Sequence, residues 1–275
     1  MQEQTVTIES ALKQRTDSIS PPTSHLLPPT TFERAFDLRP SKLTFDISQI
    51  DSLLDFADRG AICVTSSSGR DGSWHANTLV TKACVRALMS RRQGGFGSPS
   101  VIFIDAGNCS DIYECVDFAR QYGLDSDKIL DSIIVSRPFT IHQLAELIVH
   151  SLRSAMQRYS AKLIVVSDVL GMFIKADPQI DPDEARWMIK EIARALKRLS
   201  AQAMIVVSMS PSSNMPLPPS YAGTLLRIFD SCIDIMVAND THSVNCLQLR
   251  VSDLRHGTTR MVTIPKKDLQ LVPAR

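Results

Sequence analysis

The chain has 275 residues, 44% of them apolar, which is enough for one large α/β core with an appended arm. Its 30 Lys and Arg residues balance 29 Asp and Glu residues, so net charge provides no whole-molecule attraction to nucleic acid or anionic membrane. The six cysteines lack C-x-x-C spacing, which indicates reduced thiols rather than a zinc motif or a disulfide framework.

The sequence predicts neither a secretory signal nor a membrane helix. The first 25 residues contain no apolar segment of the secretory type, and no run approaches the roughly 18 apolar residues of a membrane helix. We therefore expect a soluble, cytoplasmic protein that does not bind membranes.

Residues 1–40 are predicted to form a flexible, polar, proline-rich arm, and residues 41–275 a single core domain. Four prolines lie between positions 21 and 29, where they remove backbone donors and prevent a regular helix or central strand. From residue 43 onward, apolar runs of strand length alternate with amphipathic helical patterns. The predicted strands are 61–65, 100–105, 132–136, 163–167, 203–208, 233–237, 246–251 and 260–264, and the predicted helices are 74–91, 112–122, 141–158, 183–199 and 221–229.

The predicted strands indicate how the sheet is built. Nearly continuous apolar runs such as VIFID and MIVVS require a sheet that is covered on both faces, and the intervening helices supply right-handed crossovers. The last three strands are separated by short turns, which favours antiparallel pairing. The predicted fold class is therefore α/β, with a mostly parallel central sheet flanked by helices and antiparallel strands at the C-terminal end.

The segment GAICVTSSSGRDGSWHANT, residues 60–78, has the strand-turn-helix layout of a phosphate-binding loop but lacks its lysine. In a G-x-x-x-x-G-K-[ST] loop, backbone N–H groups surround the phosphates, the lysine reaches the β and γ oxygens, and the hydroxyl ligates Mg²⁺. If Gly72 is the second glycine, Ser67 replaces the first glycine, Ser73 the lysine and Trp74 the hydroxyl, while Arg70 lies inside the loop.

Another register does not restore the loop. If Thr78 supplies the hydroxyl, Asn77 stands in place of the lysine, and no lysine occurs between Leu43 and Lys82. A plain strand-turn-helix connection is the alternative interpretation. His75 is interpreted as a surface residue of this turn without a catalytic role.

The run VIFIDAGNCSDIYECVDFARQYGLDSDKILDSIIVSR, residues 101–137, resembles the archaeal and eukaryal RecA-type recombinases of the RadA family. A strand ending in Ile104-Asp105 precedes a Tyr-Gly-Leu-Asp turn at the family's spacing. The similarity extends to about residues 30–265. It includes the upstream segment IDSLLDFADRGAI and the downstream segments LIVVSD and ARWMIKEIARALKRLSAQAMIVVSMS. The resemblance implies a RecA-like P-loop NTPase fold and a role in DNA recombination and repair.

The resemblance also identifies positions where the ATPase chemistry has changed. The family places a catalytic glutamate two residues after the aspartate matched by Asp105, and this chain has Gly107 there. The magnesium-associated aspartate of the family is matched by Ser167. The nearest aspartate, Asp168, follows one residue later, so its side chain is expected to point to the opposite face of the strand. Ser210 matches the glutamine that senses nucleotide. We therefore expect no catalytic residue, no metal site and no ATP or Mg²⁺ cofactor.

The sequence therefore predicts that this chain is a core-only paralogue of the family with degenerate nucleotide-binding motifs. It is expected to act as a catalytically inactive accessory or scaffold that binds a RadA-type recombinase, a sister paralogue or a second copy of itself. Two alternatives stay open. One is an ATPase that uses a non-standard P-loop, with a lysine such as Lys82 or one supplied in trans. The other is a RecA-fold scaffold subunit of a complex outside recombination.

Several residues are candidates for contacts with partners. Phe32 and Ala35 fit the Phe-x-x-A pattern with which such recombinases anchor a strand in a neighbouring protomer, although Phe32 could equally pack on its own core. The proline-rich stretch 210–229 is interpreted as an exposed connection. DNA contact is a weaker expectation. The alternative for each candidate group is a set of charged side chains that are exposed to solvent and bind no DNA. The first group is Arg250, Arg255, His256 and Arg260, and the second is Arg86, Arg91 and Arg92.

Overall fold

The structure is a computed structural model that describes residues 42–54, 58–66, 69–108, 110–174, 180–209, 219–237 and 245–269. Its strands are β1 (Gly60–Ser66), β2 (Val101–Asp105), β3 (Ile133–Ser136), β4 (Leu163–Ser167), β5 (Met204–Met209), β6 (Ser231–Val237), β7 (Cys246–Asp253) and β8 (Thr258–Pro265). Its helices are α1 (Ser48–Asp51), α2 (Gly69–Leu88), α3 (Glu114–Gln121), α4 (Ser126–Asp131), α5 (Ile141–Glu146), α6 (Leu152–Arg158), α7 (Gly171–Ile174), α8 (Pro182–Leu199), α9 (Pro219–Leu226) and α10 (Lys266–Leu269). A π-helical turn, Leu147–Ser151, joins α5 to α6, and a 3-10 turn, Arg91–Gln93, follows α2.

The eight strands form one sheet in the order β3-β2-β4-β5-β1-β6-β7-β8. Strands β1 to β6 pair in parallel, and β7 and β8 pair antiparallel to their neighbours. This is the predicted mostly parallel sheet with an antiparallel C-terminal end, so the RecA-like fold class is confirmed.

Helices cover the two faces of the sheet with separate apolar cores. One core lies between the sheet and α2, and it includes Leu79, Phe103 and Phe118. The other lies between the sheet and helices α5, α6, α8 and α9, and it includes Ile148, Val166 and Leu196. Within the described ranges, no helix is both long enough and apolar enough to cross a membrane.

Helix α2 starts earlier than predicted. The pattern predicts a start at Trp74, whereas the helix begins at Gly69, so only residues 67–68 separate it from β1. Glycine lowers helix propensity by only about 1 kcal/mol, which the following apolar residues of α2 offset by packing on the sheet. The segment predicted as a turn is therefore largely the first turn of a helix.

Lys82, on α2, is buried and binds two segments distant in sequence. Its Nζ donates hydrogen bonds to the carbonyl oxygens of Asp268, at 2.9 Å, and Asp46, at 3.4 Å. Burial lowers the pKa of Lys82 because the charged form is desolvated, and the carboxylates of Asp46 and Asp268 oppose this. Lys82 thus joins the α1 segment and α10 to α2.

Arg86 makes a second buried attachment one turn later. Its guanidinium donates to Thr44 Oγ1 and to the carbonyl oxygen of Gly94, both at 2.6 Å, and lies 5.4 Å from the centroid of the Tyr122 ring. The interpretation of Arg86 as a DNA contact is therefore wrong, because the side chain is buried within the protein.

Candidate functional site

The candidate site lies where β1, β2, β4 and β5 end. Because these strands are parallel, their carboxyl ends meet at one edge of the sheet, which is where open α/β sheets bind ligands. Ser66, Asp105, Ser167 and Met209 are the last residues of these strands. Of the predicted nucleotide positions, Asp105, Gly107 and Asp168 lie at this edge or directly after it.

Four uncharged side chains form a hydrogen-bonded group at this edge, which we call the Ser167 network. Ser167 is fully buried, and its Oγ lies 2.5 Å from Ser110 Oγ and 3.4 Å from Asn77 Oδ1. Ser208 Oγ donates to the same Asn77 oxygen at 3.0 Å and accepts the backbone N–H of Asp168 at 2.7 Å. The position that the resemblance assigns to a metal-associated carboxylate is thus occupied by a neutral network.

Asp105 lies beside this network and is paired with a cation of the protein itself. The residue is fully buried, and its Oδ2 accepts a hydrogen bond from Arg137 Nε at 3.1 Å. The backbone N–H of Ser110 lies 3.4 Å from Asp105 Oδ1, and Arg137 Nη2 donates to the Ser110 carbonyl at 3.2 Å. Its negative charge is therefore balanced by Arg137.

We expect Arg137→Ala to lower the free energy of unfolding by about 1–3 kcal/mol in urea denaturation, because it leaves a buried carboxylate without its guanidinium. The value is below that of a fully buried pair because the Arg137 side chain is 45% exposed. Arg120→Ala is the matched control, since its ion pair with Asp117 is exposed on both sides. Equal losses of unfolding free energy in the two variants would show that the Asp105–Arg137 ion pair stabilises the fold no more than an exposed ion pair does.

Asp168 and Gly107 lie on the outer side of the same edge. Asp168 has a left-handed φ of 47°, and a Cβ at Gly171 would come within 2.3 Å of its Oδ2, so the carboxylate lies against the start of α7. The N–H of Gly107 donates to the Ser167 carbonyl at 3.1 Å. Gly107 also lines a cavity of about 640 Å³ with Phe139 and Met172, and it offers no general base to that cavity.

The predicted loop positions are distributed along the start of α2. Arg70, Gly72 and Ser73 belong to the helix, and Trp74 is 46% exposed. Ser67, Ser210, Phe32 and Ala35 lie outside the described residues. The interpretation of His75 as a surface turn residue is wrong, because the early start of α2 places it in a helix, buried and in edge contact with the Trp74 ring at 4.8 Å.

Lys82 is not placed to replace the missing lysine within the chain. It lies nine residues after Ser73 on the same helix, which corresponds to about 13 Å along the axis. Its Nζ is also bonded to the carbonyls of Asp46 and Asp268. The alternative of an ATPase that uses Lys82 of its own chain therefore loses its structural basis.

Glu114, at the start of α3, is a partly buried carboxyl group beside α2 that the sequence patterns did not reveal. Thr78 Oγ1 donates to Glu114 Oε1 at 3.4 Å and also to the carbonyl of Trp74, one turn earlier on α2. Burial raises the pKa of Glu114 to about 7, the charge of Asp111 adds to the increase, and the Thr78 hydrogen bond opposes it.

The DNA-contact candidates on β7 and β8 are mostly next to carboxylates. Arg250 Nη1 lies 3.7 Å from Asp234 Oδ2. Asp253 is 2.7 Å from His256 Nδ1 and 4.0 Å from Arg255 Nε, and the hydrogen bond from His256 lowers the pKa of Asp253. Arg260 is exposed on β8. These carboxylates reduce the positive potential that phosphate binding requires.

A groove lies on the opposite side of the core, next to the edge strand β3. We call it the β3–α8 groove. It encloses about 840 Å³ between the residues that follow β3, helix α5 with its π turn, and α8. Apolar lining comes from Pro138, Val149 and Met188, and Trp187 is 60% exposed at its rim. An apolar groove beside an edge strand has the form of a site for an added strand with an aromatic anchor.

These features define a RecA-like fold in which the Ser167 network lies at the position that the resemblance assigns to a metal-associated carboxylate. The sequence profile of the Rad51 family matches residues 42–214, and the chain belongs to that family. Membership supports a role in recombination and repair at the level of the family.

A curated relative agrees with this assignment. The chain is similar to the meiotic recombination protein DMC1 homolog A of Oryza sativa subsp. japonica, with 27% identity over 112 residues. The similar segment covers 41% of this chain and 32% of that protein, so the match spans about a third of the length of the relative.

Proposed function

We propose that this chain is a catalytically inactive recombinase paralogue that serves recombination and repair as an accessory or scaffold protein. Its partner is a RadA-type recombinase or a sister paralogue, bound through protein surfaces rather than through a shared nucleotide. ATP and Mg²⁺ are not its cofactors, and DNA binding is at most a weak local contribution.

The Ser167 network is the observation that carries this proposal. A nucleotide site of this fold needs a cation for the phosphates and a carboxylate for the metal, both directed into an accessible cleft. Here Ser110, Ser167 and Ser208 bond to one another or to Asn77 instead. The nearest buried carboxylate, Asp105, is paired with Arg137. Rebuilding the site would require these hydrogen bonds to be broken.

The β3–α8 groove supports the choice of partner. Its exposed Trp187 and apolar floor lie beside the edge strand β3. The resemblance implies that recombinases of this type contact each other through a strand with a Phe-x-x-A anchor. The groove is suited to accept such a strand from the partner.

The nucleotide part of the proposal is tested by calorimetric titration of the full chain with ATP and Mg²⁺. We expect no magnesium-dependent binding in the micromolar range and no turnover by the chain alone. Ser73→Glu places a negative charge at the position that the resemblance assigns to the phosphate-binding lysine, and Ser90→Glu adds the same charge just beyond the other end of α2. Binding that Ser73→Glu abolishes and Ser90→Glu preserves would overturn the proposal.

The partner is tested by co-purification with the RadA-type recombinase of the same host. We expect the full chain to retain the recombinase, Trp187→Glu to lose it, and Met261→Glu, a change at an exposed apolar residue of β8, to keep it. ATP turnover by the complex should not exceed that of the recombinase alone, since an excess would support a lysine supplied in trans. Failure to bind the recombinase would favour a scaffold outside recombination.

A further inference from the structure

Cys63 and Cys232 lie directly opposite each other in the parallel pair of β1 and β6. Neighbouring strands are about 4.8 Å apart, which falls within the Cα separation of about 4.4–6.8 Å that a disulfide accepts. Both residues belong to the apolar core on the α8 side of the sheet, so their side chains project from the same face. The two side chains are therefore neighbours on one face of the sheet.

The surroundings of the two thiols are unequal. Cys63 is fully buried, whereas Cys232 is partly exposed. Burial raises the pKa of Cys63, while the hydrogen bond from Cys63 lowers the pKa of Cys232 against the opposing effect of its own burial. Thr65 Oγ1 lies 3.9 Å from Cys232 Sγ and provides a second polar contact. Cys232 is therefore the thiol that an oxidant reaches first.

We propose that Cys63 and Cys232 form a redox modification site, in which a peroxide converts the two thiols to an intramolecular disulfide that joins β1 to β6. This inference is independent of the partner and of the nucleotide chemistry.

The chemistry needs only the peroxide and the two thiols. The Cys232 thiolate attacks one peroxide oxygen, the O–O bond breaks, and hydroxide leaves, which gives a sulfenic acid. Cys63 sulfur then attacks Cys232 Sγ, the S–S bond forms, the S–O bond breaks, and water leaves with the Cys63 proton. The leaving hydroxide takes up the proton first released by Cys232. The two thiols lose two electrons, and one hydrogen peroxide is reduced to two waters.

A second pair of neighbouring cysteines provides an internal comparison. Cys84 and Cys115 are both fully buried in the core on the α2 side of the sheet. A negative charge on Cys115 would raise the pKa of Cys84 further. Burial raises the pKa of Cys115 to about 12 and that of Cys84 well above its usual value. Neither presents an accessible thiolate, so this pair should stay reduced while Cys63 and Cys232 react.

The test is oxidation of the full chain with hydrogen peroxide, followed by alkylation, thiol counting in denaturant and peptide mapping. We expect the count to fall by two from the six of the reduced chain, with one linked peptide pair that contains Cys63 and Cys232. The oxidised protein should melt at a higher temperature, because the cross-link constrains the unfolded chain, and dithiothreitol should reverse the shift.

Three variants make the result decisive. Cys232→Ser should abolish the linkage, and Cys63→Ala should leave a sulfenic acid at Cys232 that dimedone traps. Cys246→Ser, which changes another partly exposed cysteine, should form the disulfide like the parent chain. Far-ultraviolet circular dichroism confirms that each variant is folded. The proposal is overturned if Cys63 and Cys232 stay reduced while Cys246 is oxidised, or if Cys84 and Cys115 react as quickly.

Discussion

Ser167→Asp, which restores the family's carboxylate, is expected to lower the free energy of unfolding by about 3 kcal/mol or more, and added Mg²⁺ is not expected to recover it. Ser167 is fully buried, and it lies opposite Asp105 in the β2–β4 register, so the new charge would be desolvated beside a like charge. Urea denaturation with and without Mg²⁺ measures both effects.

Ser167→Ala is the matched control for that variant. It removes the hydroxyl from the Ser167 network without adding charge, so we expect a loss of only about 1–2 kcal/mol from the missing hydrogen bonds. If Ser167→Asp instead matched the parent in stability, or if Mg²⁺ stabilised it while leaving Ser167→Ala unchanged, the edge of the sheet would be a latent metal site. The proposed inactive scaffold would then have to be abandoned.

Glu114→Gln is expected to raise the free energy of unfolding at pH 8 by up to about 3 kcal/mol and to have almost no effect at pH 4. The folded pKa is about 7, and the ordinary value is 4.5. As pH rises through this window, the unfolded chain releases the Glu114 proton before the folded chain does, so stability falls between about pH 4.5 and 7. Glutamine resembles the protonated acid and can still accept the Thr78 hydrogen bond.

The measurement is urea denaturation of parent and variant at several pH values between 4 and 8. Asp131→Asn, at the exposed end of α4, is the control for removal of one carboxylate from this side of the protein. As a substitution at an exposed residue, it should change the free energy of unfolding by no more than about 0.5 kcal/mol. If the free energy of unfolding of Glu114→Gln fell with pH as steeply as that of the parent, Glu114 would not retain its proton in the folded state.

Most of the sheet was predictable because its strands are buried on both faces. The apolar run at 163–167 matches β4 residue for residue, and the antiparallel pairing of β7 and β8 follows from their short connections. Helix α4 was missed because six residues are too few to show a helical period. Its signal was Asp125, whose side chain caps the helix by accepting the N–H groups of Asp127 and Lys128.

The candidate site was predictable only where a residue type departs from a motif. Gly107 and Ser167 were found because the resemblance assigns charged residues to those positions. Asn77, Ser110 and Ser208 come from three different segments and have no sequence signature, because small neutral polar residues are common in loops and strand ends. Their grouping depends on the parallel register, which brings the strand ends together.

The error at His75 has a specific physical origin. Gly69 and Gly72 suggest a turn, and a histidine after a glycine-containing turn is usually exposed. Packing of α2 against the sheet extends the helix backward through both glycines, which rotates His75 inward. The same extension shortens the link from β1 to residues 67–68.

The buried lysine of α2 sets a lower limit on the size of a fragment that could fold independently. Lys82 Nζ is bonded at once to the carbonyls of Asp46 and Asp268, which lie close to opposite ends of the described core. A fragment cut before Asp268 would leave a buried ammonium group with half of its acceptors missing. Domain fragments made for biochemical work on this protein should therefore span at least residues 42–269.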